Sequence, residues 1–171
     1  MKNITKLFLY LNFCLTLLAC SKISPKGEIE VKDVTVENFT KLNLKGDFKV
    51  FFAKGNQNLV SVETYPNVYK NLDIEVENGI LTIEENRKTD KVDFYNITIY
   101  GKNPFDVIKI ADSVELNISS QMKVENFALH LKDNAKFIGS VISEKSEIEM
   151  TNKSRANLLG KTTLAKLNIK D

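Results

Sequence analysis

The chain is poor in the residues that most enzymatic and metal chemistry needs. Of its 171 residues only His130 is histidine, and only Cys14 and Cys20 are cysteine. A single histidine excludes metal sites built from several imidazoles and leaves any Ser-His or Cys-His arrangement one candidate. Cys14 lies inside an apolar leader, so cleavage of that leader leaves Cys20 alone. No intrachain disulfide is then possible, and the fold must rest on its core. An excess of one charge is missing as well: 24 basic residues face 22 acidic ones. Loss of residues 1–19 removes Lys2, Lys6 and no acid, leaving 22 against 22. The basic residues are scattered, so no nucleic-acid partner is expected. Helix signals nearly vanish after the leader, and the Gly- and Asp-rich nonapeptide of calcium-loaded β-rolls is absent.

What is present begins with an export signal. Lys2 and Lys6 precede an apolar run from Leu7 to Ala19, interrupted by Asn12 and Thr16. The run is shorter than the roughly 20 apolar residues that cross a bilayer, which makes residues 1–19 a signal peptide. Leu17-Leu18-Ala19-Cys20 resembles the bacterial lipobox, whose cysteine is acylated after cleavage; the alternative is a secreted protein in which Cys20 is incidental. Residues 20–28, small, polar and broken by Pro25 and Gly27, then read as a lipidated tether. The expected location is the cell envelope, lipid-anchored, at the outer membrane of a Gram-negative bacterium.

From residue 29 onward the chain alternates with period 2. Val-Glu-Thr, Leu-Asp-Ile-Glu-Val, Ile-Thr-Ile and Ile-Glu-Met are short strands separated by Asn, Gly and Asp. In LDIEVENGILTIEE, residues 72–85, Asn78-Gly79 supplies the two positive φ angles of a type I′ hairpin turn. Tyr65-Pro66-Asn67-Val68-Tyr69 reads as a turn or a single helical turn.

A repeat emerges from about residue 105. Ile108 to Leu116 aligns with Leu129 to Phe137, and then with Ile148 to Ser154 and Leu167 to Asp171. Asp112, Asp133, Asn152 and Asp171 share one column, spaced 21, 19 and 19 residues apart, and Gly46 holds it in an earlier echo. Units this short cannot bury their own apolar face, so they are expected to stack as coils of a β-solenoid. Gly, Asp and Asn are the residues that tolerate left-handed backbone, which makes the column a bend. The rival is an antiparallel β-sandwich, which suits the hairpin but does not require a shared backbone preference in every copy.

In order along the chain, the leader, Phe39 to Val50, Lys54-Gly55, Val76 to Ile83, Pro104 before Ile108 and the recurring corners resemble the putative autotransporter adhesin, head GIN domain family of secreted bacterial proteins. The resemblance implies an all-β chain: a right-handed parallel β-helix with an irregular β-rich start (29–104) and regular coils (105–171), in a single domain 29–171. It carries over no catalytic residue, and the family is a domain of unknown function.

The residues themselves offer little to an enzyme. Strand alternation points His130 outward, between inward Leu129 and Leu131. Glu144, Glu147 and Glu149, or Glu84 and Glu85, are the acids that a carbohydrate-active β-helix would use as a pair. Asp112 over Asp133 would bring like charges about one strand spacing apart, ~4.8 Å, unless calcium or a lysine intervenes. Tyr65, Tyr69, Phe94, Tyr95 and Tyr100 offer surface for stacking on sugars or anchoring a protein. The expectation is a non-enzymatic, lipid-anchored adhesin or binding scaffold: Cys20 is the one site residue, no catalytic residue, metal or cofactor is expected, and the partner is an envelope protein or glycan. Self-association through the C-terminal solenoid edge is a further expectation; the alternative function is a polysaccharide lyase or hydrolase.

Overall fold

The computed structural model describes residues 22–171. The expected signal peptide, residues 1–19, and the expected lipidation site Cys20 lie outside the described residues. The described residues are all-β apart from one helical turn. The elements are β1 (Glu30–Thr35), β2 (Lys41–Gly46), β3 (Lys49–Lys54), β4 (Leu59–Thr64), α1 (Pro66–Tyr69), β5 (Leu72–Glu77), β6 (Ile80–Glu85) and β7 (Asn96–Gly101). They continue with β8 (Val107–Asp112), β9 (Glu115–Ile118), β10 (Met122–Lys123), β11 (Asn126–Leu131), β12 (Lys136–Thr151) and β13 (Arg155–Lys170).

All strands join one sheet in the order β1-β4-β7-β3-β9-β12-β11-β8-β2-β6-β5, with β10 and β13 also paired to β12. β12 is long enough to pair β9 with its first residues and β11 with its last. The sheet therefore has two stacks joined through β12. One holds β5, β6, β2, β8, β11 and the ends of β12 and β13; the other holds β1, β4, β7, β3, β9 and the starts of β12 and β13.

Register carries the repeat into the core. In the first stack Leu42 aligns with Leu81 and Ile108, Ile108 with Leu129, Leu129 with Ile148 and Ile148 with Leu167. Leu44, Ile83, Ile110, Leu131, Met150 and Ile169 form the next inward column. Val50, Ile97, Leu116 and Phe137 do the same in the second stack, followed by Ala156. These columns are buried through β11, and Phe39, Phe52 and Phe105 pack together between the stacks, with Phe52 and Phe105 ring centroids 4.5 Å apart. Burying each such side chain contributes about 1.5–3 kcal/mol, and the described residues, which contain no cysteine, are held together by it.

The corners sit where the repeat placed them. Asp112, Asp133 and Asn152 have φ of 59°, 63° and 59°, and Gly46, beside Asp112, has φ of 147°. Asn78 and Gly79 turn the β5–β6 hairpin with φ of 53° and 74°, as expected for a type I′ turn.

The expectation of a parallel β-helix needs a correction. The pairings from β2 to β13 through β8, β11 and β12 are parallel, as are β3 with β7 and β9. β1·β4, β4·β7 and β5·β6 are antiparallel, so the sheet is mixed. A two-residue turn such as Asn78-Gly79 leaves no room for the crossover that parallel strands need. Parallel stacking also starts earlier than residue 105, since β2, β3, β6 and β7 already belong to it.

The segment following Cys20, expected as a tether, is bonded to the domain. The Ile23 N–H donates to Lys88 O and the Asp90 N–H to Ile23 O, both at 2.9 Å. Asn67 Nδ2 donates to Ser24 O at 2.9 Å, and the Lys26 N–H donates to Asn67 Oδ1 at 2.8 Å.

Candidate functional site

Outward positions of the first stack form ladders of opposite charge across neighbouring strands, the arrangement that stabilises exposed sheet faces by a few tenths to about 1 kcal/mol per pair. Lys45 pairs with Glu84, Lys166 with Glu147 and, in the second stack, Lys136 Nζ with Glu115 Oε2 at 3.5 Å. His130 points outward as expected, and its Nδ1 lies 2.9 Å from Glu149 Oε2. That hydrogen bond holds the Glu149 carboxyl below the usual carboxylate range.

Four of the five acids that could have formed a catalytic pair are thus already engaged. Glu147 and Glu149 are bonded to Lys166 and His130, and Glu84 to Lys45. Glu85 accepts from Thr89 Oγ1 at 3.0 Å and from the Asp47 N–H at 3.1 Å. Burial pushes its carboxyl above the ordinary value, with those hydrogen bonds opposing. Its role is to close the corner at Gly46-Asp47, against the buried Tyr95, whose phenol burial and the Glu85 charge push well above the ordinary value. Glu144 remains exposed.

In the corner column, Asp133 Oδ1 accepts from Asn152 Nδ2 at 2.8 Å. Lys45, raised above the ordinary lysine value chiefly by its hydrogen bond to Glu84, is also drawn by the Asp112 charge. An amide thus meets Asp133, while the Lys45 ammonium is bonded to Glu84. Among the described residues no group of three or more His, Cys, Asp or Glu side chains is placed to hold a metal ion.

Of the aromatics singled out in the sequence, Tyr95 is buried and Tyr65 and Tyr69 pack partly buried against the core. Phe94 and Tyr100 are exposed, at 47% and 37%. The structure adds Phe51, 43% exposed on β3. Phe51 aligns with Thr98 and Ala53 with Tyr100, so Phe51 and Tyr100 are diagonal neighbours on the outer face of the second stack.

Beside Tyr100 the same strands end at a cleft of about 370 Å³. Lys54 closes β3, Lys102 follows β7 and Lys123 closes β10, and all three line the cleft with the polar Asn103, Ser120 and Gln121. The buried Phe52 and Met122 form its floor. The lining contains no carboxylate, and no ion pair among the described residues involves these lysines. The arrangement presents three cations over an apolar floor, while Phe51 and Tyr100 lie on the outer face of the two strands, β3 and β7, that lead into it. It can bind and orient an anionic group.

Sequence reasoning missed Phe51 and the three lysines. For Phe51 a signal existed: in Lys49-Val50-Phe51-Phe52, alternation sends one phenylalanine inward and its neighbour outward. The lysines lie at 54, 102 and 123, and only the stacking of their strands brings them together.

Comparison with known proteins gives a consistent picture of the fold. Residues 38–171 match the family model described as "Putative auto-transporter adhesin, head GIN domain". The chain is similar to a crystal structure described as a "Putative lipid binding protein" from Parabacteroides distasonis, with TM-score 0.70 and 20% identity over 86% of this chain; it spans 63% of that protein. It is also similar to a "putative adhesin" from Parabacteroides merdae, with TM-score 0.58 and 12% identity over 88% of this chain and 81% of the other. A second "putative adhesin", from Parabacteroides distasonis, gives TM-score 0.56 and 16% identity over 87% of this chain and 70% of the other. At these identities the likeness concerns the fold. No curated protein matches the chain.

Proposed function

The chain belongs to the family described as putative auto-transporter adhesin, head GIN domain, and from that premise we propose that it is a non-enzymatic binding protein of the cell envelope, an adhesin or scaffold. In this reading residues 1–19 are removed, Cys20 carries lipid in the outer membrane, residues 29–171 form one domain, and its coils are those of a right-handed parallel β-helix. The hydrogen bonds of Ile23, Ser24 and Lys26 to the domain support a short anchor that keeps the domain close to the bilayer.

The observation that carries the reading is the cleft of Lys54, Lys102 and Lys123, which has no carboxylate in its lining and lies at the end of β3 and β7, the strands whose outer face exposes Phe51 and Tyr100. Aromatic faces stack on the apolar faces of sugar rings, and unpaired lysines attract carboxylate or phosphate. The ligand class is therefore an acidic glycan of the envelope or of another cell surface. The engagement of Glu84, Glu85, Glu147 and Glu149 in other bonds argues against the glycosidic enzyme.

The test compares the wild-type chain with Lys54→Glu, Lys102→Glu on an array of neutral and acidic glycans, and on vesicles of anionic lipid. Binding restricted to acidic glycans and lost in the variant supports the proposal. Binding to vesicles alone assigns the cleft to lipid headgroups instead, and equal binding by both proteins removes the cleft from consideration. Palmitate labelling of wild type against Cys20→Ala tests the anchor, and equal labelling overturns it.

A further inference from the structure

The two ends of the sheet match each other. Among the described residues the outer edges of β5 and β13 carry no strand. β13 has four basic residues, Arg155, Lys161, Lys166 and Lys170, and no acid; β5 has Asp73, Glu75 and Glu77 and no base. Both edges alternate these charges with apolar side chains. Leu167 and Ile169 of β13 are 62% and 60% exposed, while Ile74 and Val76 of β5 only partly cover the core.

From this complementarity we infer that a second copy of the chain docks on β13 through its β5 edge, building a head-to-tail assembly. The register within one molecule supports it. Through β6, β2, β8, β11 and β12, Val76 lies in the column of Leu167 and Ile74 in that of Ile169. On the outward side Glu77 falls in the column of Lys166, and Asp73, by way of Glu84, Lys45 and Ala111, leads to Lys170 when the β8–β11 and β11–β12 registers are continued by one residue. A copy stacked along the same columns would pair its β5 antiparallel to β13. That places apolar on apolar inside and carboxylate beside ammonium outside. A two-fold contact of β13 with itself would instead bring like charges together, which opposes a closed dimer.

The steps of the two ends also fit. Each stack contains seven strand levels: β5, β6, β2, β8, β11, β12 and β13 in one, and β1, β4, β7, β3, β9, β12 and β13 in the other. The first stack ends one level nearer to β2 and β3 than the second does at the β5 and β1 end. It ends one level further out at the β13 end, so the same step recurs with opposite sense. β1 would then meet the start of β13, with Val34 over Leu158 when the β9–β12 register is continued by one residue to Ile118 and Gly139. Lys32 falls in an inward column, over Ala156, so this half adds less. Because the contact joins two different surfaces and is not closed by symmetry, it continues from copy to copy. It does not depend on the adhesin reading or on the lysine cleft.

The experiment is sedimentation of the full-length chain in mild detergent over a concentration series. An average mass that climbs past the dimer without a plateau, and falls at high salt, is expected. Lys166→Glu, Lys170→Glu and, separately, Asp73→Lys, Glu77→Lys are each expected to remain monomeric. An equimolar mixture of the two regains assembly because each reversed edge meets its complement, and recovery on mixing also shows that both variants are folded. Carbodiimide crosslinks of Glu77 to Lys166 and of Asp73 to Lys170 are diagnostic, since these residues lie at opposite ends of one molecule. A wild-type chain that stays monomeric, an assembly that stops at the dimer, crosslinks from β13 to β13, or reversals without effect, alone and mixed, would each overturn the inference.

Discussion

Asn152 donates its side-chain amide to the Asp133 carboxylate in the neighbouring coil, Nδ2 to Oδ1 at 2.8 Å, and both residues hold the left-handed backbone that turns the chain. The bend and the hydrogen bond belong to the same two side chains. Left-handed backbone costs a residue with a Cβ about 1–2 kcal/mol, a cost that Asn and Asp reduce through local hydrogen bonds and that glycine avoids.

Asp133→Gly is therefore expected to leave the urea midpoint close to wild type, the freed backbone strain offsetting the lost hydrogen bond. Asp133→Val loses the bond and adds β-branched strain, and should be destabilised by about 1–3 kcal/mol relative to Asp133→Gly. Equal midpoints for the two variants would refute the corner reading.

Gly46 and Gly79 separate two reasons for keeping a glycine. At Gly79, φ 74°, an added Cβ meets nothing within 4 Å, so Gly79→Ala is expected to cost only the conformational term, about 1–2 kcal/mol. At Gly46, φ 147°, the Cβ would stand 2.6 Å from Phe48 Cε1 and 2.7 Å from Glu85 Cγ. Overpacking adds about 1–3 kcal/mol there. Gly46→Ala should thus have the lower thermal midpoint of the two, measured by circular dichroism.

How much of this was legible depended on whether the signal was local. The corner column could be read because Asp112, Asp133 and Asn152 share left-handed backbone and Gly46, at the same register, holds a positive φ of its own, and the hairpin because Asn78-Gly79 contains its own turn. The inward columns followed from alternation alone. The antiparallel pairings of β1 and β4 were not legible, since a short alternating strand carries its faces but not its neighbour or direction. The lysine cleft was hidden for the same reason: Lys54, Lys102 and Lys123 end three strands whose adjacency is a property of the stack. Glu85 looked like one member of an acidic pair, and only the packing of β6 against the Gly46 corner made it a partly buried structural group.

That burial gives Glu85 a pH signature. Its folded carboxyl titrates above the unfolded value, chiefly because burial disfavours the charged form. The stability linked to its neutral form is fully present below the unfolded carboxylate pKa of about 4.3 and is lost as pH rises through the raised folded value. Glu85→Gln keeps an acceptor for the Asp47 N–H and removes the charge. Relative to wild type it should gain stability between pH 4 and pH 7, read as diverging urea midpoints. A constant difference across that range would show that the carboxyl is not desolvated in solution.

Phe51 and Phe52 are neighbours in sequence with opposite environments, and they separate recognition from folding. Phe52 is 4% exposed, with its ring against Phe105, while Phe51 is 43% exposed on the outer face. Phe52→Ala removes a core ring and is expected to cost about 3–5 kcal/mol. Phe51→Ala takes apolar surface away from water without opening a cavity, so its unfolding free energy should stay within about 0.5 kcal/mol of wild type, the range of ordinary surface substitutions. If the outer face takes part in glycan binding, Phe51→Ala and Tyr100→Ala weaken binding while the fold is unchanged. A Phe51→Ala variant that unfolds like Phe52→Ala would show that the outer face is covered in the folded protein, and would remove Phe51 from any exposed binding surface.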